Sequence, residues 1–241
     1  MPADCWTIIT EGASSAAEQM ALDDLLARQG GLTARCFTWR RPAISRGFKQ
    51  SVPDWVSASS SAYELIERPT GGGIAFHGSD VSLAVVIPRA LGLPLDRLMH
   101  AIGESAGRLC QVYGVDAQSS DEPSPNDPPH QTVWCGGGRI TYCLAEPSPY
   151  AVFAAGRKLA GFAIRRYPES WLIQGSLLVR PIPQALRRAL PAEAQGRLEA
   201  RSASLAEAAG RELNEPDVAR QWSDQWIEWW EASLMEAVER R

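Results

Sequence analysis

Residues 67–77 read ERPTGGGIAFH, which places three consecutive glycines, Gly71, Gly72 and Gly73, between two β-rich runs. Glycine tolerates positive φ and lets backbone or ligand approach closely. Such a loop either presents backbone N–H groups to a ligand or makes a tight turn that binds nothing. The GxxxxGK[ST] and GxGxxG nucleotide-binding patterns are absent, so the loop predicts neither a P-loop nor a dinucleotide fingerprint.

Strand-like runs extend outward from this loop in both directions. A hairpin is expected between residues 150–153 and 157–166, with its turn at Gly156. The other expected strands are residues 34–39, 44–45, 63–67, 81–88 and 171–179.

Helical spacing of apolar residues predicts helices over residues 13–28 and 95–113, and a helical region over 183–241. Two apolar faces follow from that spacing. The first helix would use Ala17, Met20, Ala21, Leu25 and Leu26, and the second would use Leu98, Ile102, Ala106, Leu109 and Val112.

This order of elements predicts a single α+β domain over residues 1–241, with a mixed, mostly antiparallel central sheet flanked by helices. Residues 119–131 (SSDEPSPNDPPHQ) are expected to form a polar, proline-rich loop. Four tryptophans lie on one face of the last helix, and we expect that face to dock on the sheet, although it could also form a partner groove. They are Trp222, Trp226, Trp229 and Trp230.

The composition limits the function classes. The 241 residues carry a formal net charge of −4, which argues against nucleic acid as the main partner. No basic region followed by an apolar run begins the chain, and no stretch is apolar enough to span a membrane, so we expect a cytoplasmic protein. Five cysteines lie without CxxC spacing and three histidines lie far apart, so no metal site is predicted.

Two residues could carry chemistry. Lys158 follows the predicted hairpin turn; it is either a solvated strand residue or a partly buried amine that contacts an acyl carbonyl. Cys143 is either inert packing or a nucleophile, and a nucleophilic cysteine requires a cation nearby. Lys158 could supply that cation if the fold brings the two together, and Cys135 is the competing cysteine.

Six segments, in order along residues 17–180, resemble the superfamily of biotin and lipoate protein ligases, and most closely its ligase-like octanoyltransferases. They are residues 18–26 (EQMALDDLL), 37–50 (FTWRRPAISRGFKQ), 67–77, 147–150 (PSPY), 156–161 (GRKLAG) and 174–178 (QGSLL).

The resemblance implies a fold of the class II aminoacyl-tRNA synthetase and biotin ligase kind. It also implies that Cys143 accepts an octanoyl group from acyl carrier protein as a thioester, that Lys158 contacts the acyl carbonyl, and that a lysine of a lipoyl domain or of glycine cleavage H protein receives the group. No cofactor would be needed. The substrate-binding residues that it implies are Arg68, Thr70, Gly71, Gly72, Gly73, His77, Gly161, Gly175 and Ser176.

Two alternatives remain open. A lipoate–protein ligase would use ATP, Mg²⁺ and Lys158 without a cysteine. A non-catalytic protein would bind acyl groups or carrier domains. The chain departs from the family pattern at Gly78 and Ile164, where the family often has Asp and Gln. It departs again at Ile173-Gln174-Gly175, where the family's HHG or QHG has lost its histidine. These changes weaken the ATP-dependent alternative more than the thioester one.

Overall fold

The structure is a computed structural model that describes residues 6–56, 60–120, 133–135, 138–146 and 148–239. Most of the predicted loop 119–131 lies outside the described residues. Its first two residues belong instead to a short strand, Gln118–Ser120, at the edge of the sheet.

Twelve strands and six α-helices are present in the described part of the chain. The strands are β1 Thr7–Ser14, β2 Thr33–Trp39, β3 Ala43–Arg46, β4 Glu64–Glu67, β5 Ala75–His77, β6 Asp80–Pro88, β7 Gln118–Ser120, β8 Val133–Cys135, β9 Gly138–Ile140, β10 Ala151–Ala154, β11 Arg157–Arg166 and β12 Ser170–Leu178. The helices are α1 Ala16–Gln29, α2 Leu95–Val112, α3 Gln184–Ala189, α4 Ala192–Arg201, α5 Leu205–Ala209 and α6 Glu215–Glu239.

The central sheet has seven strands in the order β1-β2-β6-β12-β11-β10-β7. β1 runs parallel to β2, whereas the other neighbours pair antiparallel. A smaller sheet of order β4-β3-β5 carries the segments on either side of the glycine loop. The predicted α+β class, with a mixed, mostly antiparallel sheet and flanking helices, is confirmed.

The hairpin of β10 and β11 was predicted closely. Ala155 and Gly156 form its turn, and both have positive φ, 47° and 74°. Positive φ at both turn positions matches the twist of a two-residue hairpin. By contrast, β1 was missed, because its sequence TIITEGAS alternates weakly and its side chains are mostly exposed or half-buried.

The predicted face of α1 was right for Met20 and for Leu26, which packs against the core, and wrong for Ala17, Ala21 and Leu25, which are exposed. The helix buries Ala16, Gln19, Met20, Asp23 and Ala27, whereas Leu25 is 51% exposed. Polar residues are buried there because they bind a buried arginine on β2, an interaction that hydrophobic periodicity cannot show. The helix starts at Ser15 with a capping box to Glu18.

Helices α2 and α6 cover the opposite face of the sheet. The four tryptophans of α6 are all at most 7% exposed and pack into the main core, which confirms the docking prediction. Val112 of α2 is 51% exposed, so its predicted burial was wrong; the helix's other four predicted face residues are fully buried. No helix among the described residues has the length and hydropathy needed to cross a membrane.

Candidate functional site

The glycine loop is joined to the Cys143 segment by backbone hydrogen bonds. Ile74 N–H donates to Thr141 O (2.7 Å), and Cys143 N–H donates to Ile74 O (2.8 Å). A Cβ on Gly73 would lie 2.4 Å from Thr141 O, a distance that no side chain tolerates. Glycine is therefore required at position 73 so that two backbone segments can meet, and this contact places Cys143 beside the loop.

Arg68 stabilises the glycine loop through hydrogen bonds to its backbone carbonyls. Its guanidinium donates to Gly71 O (2.6 Å), Gly73 O (2.7 Å) and Ser45 O (3.2 Å), and the side chain is buried. Burial lowers the pKa of Arg68, an effect that is opposed by the nearby Cys143. A second tie runs from Thr70, whose hydroxyl donates to Gln174 Oε1 (2.7 Å). The conformation of the glycine loop is thus fixed by hydrogen bonds from Arg68 and to Gln174.

Lys158 is a buried amine on β11, only 2% exposed. Its Nζ donates to Cys143 O (2.8 Å), Glu146 O (3.0 Å) and Ser148 Oγ (2.7 Å). An ammonium group has three N–H donors. The lysine therefore ties Cys143, Glu146 and Ser148 together through three neutral oxygens, and the interpretation of Lys158 as a solvated strand residue is wrong.

The thiol of Cys143 and the amine of Lys158 both lie beside Gly161. A Cβ built on Gly161 would lie 3.1 Å from Lys158 Nζ and 3.2 Å from Cys143 Sγ. The two groups are therefore near neighbours, and the missing side chain of Gly161 makes room for both. Cys143 is half-buried, unlike Cys36 and Cys110, which are fully buried.

A narrow cavity extends from Cys143 across the sheet, with an empty volume of about 410 Å³ including its part open to solvent. Gly161, Ser176, Ser82 and Phe37 are successive partners on β11, β12, β6 and β2, and all four line it. Three strand spacings of ~4.8 Å make this row about 14 Å long. The walls are mostly apolar, with Met20, Phe37, Trp39, Leu83 and Phe162 among them.

A buried polar network stiffens one wall of the cavity. His77 Nε2 lies 2.8 Å from Ser45 Oγ, and His77 Nδ1 lies 2.8 Å from Asp80 Oδ2. The ring stacks on Trp39 with centroids 4.0 Å apart. Ser176 also donates to Asp80 (2.7 Å). Burial would raise the pKa of Asp80, but His77 and hydrogen bonds from Ser176 and Gly78 together hold it below its usual value.

The predicted binding residues divide into two groups. Arg68, His77, Gly161, Gly175 and Ser176 line the cavity. The loop residues Thr70, Gly71, Gly72 and Gly73 are not among its lining residues; their contacts with Arg68, Gln174 and the Cys143 segment hold the loop in place.

Gln174 and Ser45 were missed as cavity residues, although both line it. The signal for Gln174 was available, because it lies two positions from Ser176 on a strand and therefore shares its face. Of the two residues that stand before Gly175 in place of the family's HH or QH, Ile173 is buried in the main core and Gln174 lines the cavity. Cys135 lies in β8, and its side chain is outside the described part. The described residues contain no group of three metal-binding side chains.

A thiol that lines a narrow, mostly apolar cavity, with a buried amine beside the same glycine, is a feature of an enzyme that transfers acyl groups. The chain belongs to the lipoyl protein ligase A/B catalytic domain family, whose family model matches residues 15–227.

Curated relatives of the chain are named as octanoyltransferases. Octanoyltransferase LipM of Symbiobacterium thermophilum is 31% identical over 224 residues, which cover 87% of this chain and 80% of the relative. Octanoyltransferase LipM of Kyrpidia tusciae is 30% identical over 192 residues, which cover 75% of this chain and 68% of the relative.

Solved structures share the fold. A bipartite lipoate protein ligase of Thermoplasma acidophilum, studied with its E2 lipoyl domain, superposes with a TM-score of 0.69 at 15% identity and covers 95% of this chain and 83% of its own. A lipoate-protein ligase A bound with ATP gives a TM-score of 0.65 at 16% identity, covering 98% of this chain and 94% of its own.

Proposed function

We propose that the chain is an octanoyltransferase that moves an octanoyl group from acyl carrier protein to a lysine of a lipoyl carrier domain. The observation that carries the proposal is the position of Cys143 Sγ and Lys158 Nζ beside Gly161, where the cavity reaches the thiol. The names of the relatives support the octanoyl group as the cargo.

The first step is thioester exchange. The Cys143 thiolate attacks the carbonyl carbon of the carrier's octanoyl thioester and forms a tetrahedral oxyanion. The intermediate collapses by breaking the bond to the carrier sulfur, which leaves as a thiolate and takes up a proton. The octanoyl chain lies along the cavity row from Gly161 towards Phe37, where apolar walls exclude water.

The second step forms the amide. The neutral amine of the acceptor lysine attacks the acyl-enzyme carbonyl, loses a proton, and expels the Cys143 thiolate, which closes the cycle. Exchange between thioesters is nearly balanced, whereas conversion of a thioester to an amide is downhill, and this difference drives turnover.

Lys158 supplies the positive charge for both steps. Hydrogen bonds to Cys143 O, Glu146 O and Ser148 Oγ hold the amine in place beside the thiol. To reach the oxyanion it exchanges one acceptor, and the Ser148 hydroxyl can rotate away whereas the two backbone carbonyls are fixed. A positioned donor of this kind is worth about 10²–10³-fold in kcat. Arg68, which is close enough to interact with Cys143, places a second cation near the reacting group.

The donor and acceptor follow from this chemistry. The donor is octanoyl-acyl carrier protein and the acceptor is a lipoyl domain or glycine cleavage H protein, all acting in the cytoplasm. No cofactor is required, because the thioester itself supplies the activated acyl group. ATP-dependent lipoate ligation, with Mg²⁺ and Lys158, is the competing chemistry within the family.

The test compares donors. The chain is incubated with one apo-acceptor and one of two donors. The first donor is octanoyl-acyl carrier protein, and the second is lipoate with ATP and Mg²⁺. The masses of the products are measured by mass spectrometry. We expect octanoylated acceptor with the first donor alone, and an octanoyl adduct on the Cys143 peptide when the acceptor is left out. Cys143→Ala should abolish both products.

The matched control is Cys110→Ala, because burial raises the pKa of that thiol to about 12 and keeps it protonated and inert. Pyrophosphate release that needs lipoate would establish the ligase chemistry instead. Octanoate binding without amide product from either donor would indicate a non-catalytic protein. An octanoyl adduct on Cys135 in place of Cys143 would identify Cys135 as the nucleophile and contradict the assignment of Cys143.

A further inference from the structure

We infer that Arg197, on helix α4, is a positioning residue that sets the placement of Cys143 relative to Lys158. This inference rests on the proposed function of these two residues. Residues 197–203, at the end of α4 and just beyond it, contact both the turn that follows Cys143 and the strand that carries Lys158. One short segment therefore contacts both the Cys143 turn and the Lys158 strand.

Helix α4 contacts the turn that follows Cys143 through a largely buried ion pair. Arg197 Nη2 lies 2.6 Å from Glu146 Oε1, with side chains 19% and 14% exposed. Arg201 Nη1 donates to Ala145 O in the same turn (3.2 Å). Because water is mostly excluded, this pair holds its geometry better than an ion pair in solvent does.

The segment just after α4 contacts the strand that carries Lys158 through backbone hydrogen bonds. Ala203 N–H donates to Lys158 O (3.0 Å), and Ser202 forms a parallel β-bridge with Lys158. Ser202 N–H is itself bonded to Leu198 O (2.8 Å), so the bridge continues directly from the last turn of α4. The helix end and the lysine's own backbone are thereby held as one unit.

Glu146 joins the two sides. Its side chain accepts from Arg197, and its backbone carbonyl accepts from Lys158 Nζ (3.0 Å). Loss of the ion pair frees the turn of residues 143–146, and with it the thiol and two of the lysine's three acceptors. A displacement of about 1 Å in a reacting group can cost as much as 10²-fold in rate.

The same helix offers a matched control. Arg187 of α3 pairs with Glu199 of α4, but the two side chains are 45% and 59% exposed and neither belongs to the Cys143 turn. Exposed ion pairs are worth little. Arg187→Ala removes the same charge from the same region without touching the positioning contacts.

The experiment measures two properties of the full chain for Arg197→Ala, Glu146→Gln, the charge-swapped double variant Arg197→Glu with Glu146→Arg, and Arg187→Ala. The first is kcat and KM for octanoyl transfer. The second is the pH dependence of iodoacetamide alkylation, read on the Cys143 peptide by mass spectrometry. Melting temperature is recorded for each variant.

We expect Arg197→Ala and Glu146→Gln to lower kcat about ten- to a hundredfold with KM nearly unchanged. We also expect them to shift the alkylation midpoint of Cys143 to higher pH, because Lys158 is less well placed to stabilise the thiolate. The charge-swapped variant should recover much of both, and Arg187→Ala should behave as wild type.

The inference is overturned if Arg197→Ala keeps the kcat and alkylation profile of Arg187→Ala, or if it changes only the melting temperature. The alkylation measurement needs no octanoyl donor. If the wild-type chain fails to transfer octanoate, a shifted Cys143 midpoint in Arg197→Ala still supports the positioning role, and an unshifted one overturns it.

Discussion

Two buried cations lie beside Gly161 and Phe37, the two ends of the row that lines the cavity, and their surroundings differ. Lys158, 2% exposed, donates to two backbone carbonyls and a hydroxyl. Arg35 on β2, 1% exposed, pairs with the carboxylate of Asp23 at 2.5 Å and with that of Glu11, and stacks on the Phe37 ring at 4.0 Å.

The difference separates a structural charge from one that can do chemistry. Carboxylates neutralise Arg35, so its charge is used to hold α1 on the sheet. Lys158 donates to Cys143 O, Glu146 O and Ser148 Oγ and lies beside the thiol of Cys143, so it is placed to act on a thiolate or an oxyanion. A buried cation is therefore informative about function through its partners as well as its burial.

The largest expected contrast comes from removing each charge while keeping side-chain volume. Lys158→Met should lower kcat for octanoyl transfer about 10²–10³-fold, because the oxyanion loses its charged donor. Arg35→Met should keep most activity per folded molecule but lower the free energy of unfolding by about 3–5 kcal/mol, because Asp23 is left buried without its partner. Steady-state kinetics and thermal unfolding measure both.

For a chain of this size the Arg35→Met loss corresponds to a melting temperature lower by about 10 °C. Lys158→Arg serves as the control that keeps the charge. The contrast fails if Lys158→Met unfolds the chain as severely as Arg35→Met while the residual folded fraction remains fully active.

A smaller effect is expected from filling the space beside Lys158. The methyl of Gly161→Ala would lie 3.0 Å from Lys158 Cε and 3.2 Å from Cys143 Sγ. It should push the amine and thiol apart and lower kcat about tenfold, with little change in folding because both contacted atoms end flexible side chains.

Gly196→Ala is the control for this substitution, since a Cβ there meets nothing within 4 Å. It lies inside α4, where alanine stabilises a helix by up to about 1 kcal/mol relative to glycine. Equal kcat values for the two alanine variants would show that the space over Gly161 is not used in the reaction.

The smallest expected effect is a pH dependence of stability, with opposite signs for two buried carboxylates. Burial raises the pKa of Asp23 from 3.8 to about 6, although Arg35 and Gln174 act against the rise. The folded chain thus binds this proton more tightly than the unfolded chain does. Ionisation of Asp23 therefore makes stability fall as pH rises from 3.8 towards 6.

Asp80 has the reverse sign, because its pKa is lowered on folding. Its contribution to stability is present above pH 3.8 and is lost as pH falls through its folded pKa. Melting temperatures are measured across pH 3–7 for wild type, Asp23→Asn and Asp80→Asn. The melting temperature of Asp23→Asn should rise relative to that of wild type as the pH increases to 6. That of Asp80→Asn should converge on wild type in acid. Parallel curves would refute both assignments.

Sequence patterns predicted the elements whose signals are local. The hairpin of β10 and β11 has its turn residues in place, and β6 and β12 are long apolar runs. The predictions failed where distant partners decide burial. Gln19 and Asp23 are buried because Arg35 binds them, and Leu25 is exposed because α1 is rotated to allow that contact. Residue spacing on one helix contains no information about an arginine on β2.

By itself, the sequence determined the α+β class, the main helices, the hairpin of β10 and β11, and the candidate residues Cys143 and Lys158, because strand alternation, helical spacing and glycine turns are local properties. Only the tertiary structure decided that Cys143 and Lys158 meet. They lie on different segments, and their meeting depends on Gly73 letting the loop touch Thr141 and on Gly161 leaving a gap on β11. Close approach between distant segments is set by packing in three dimensions, and no spacing along the chain encodes it.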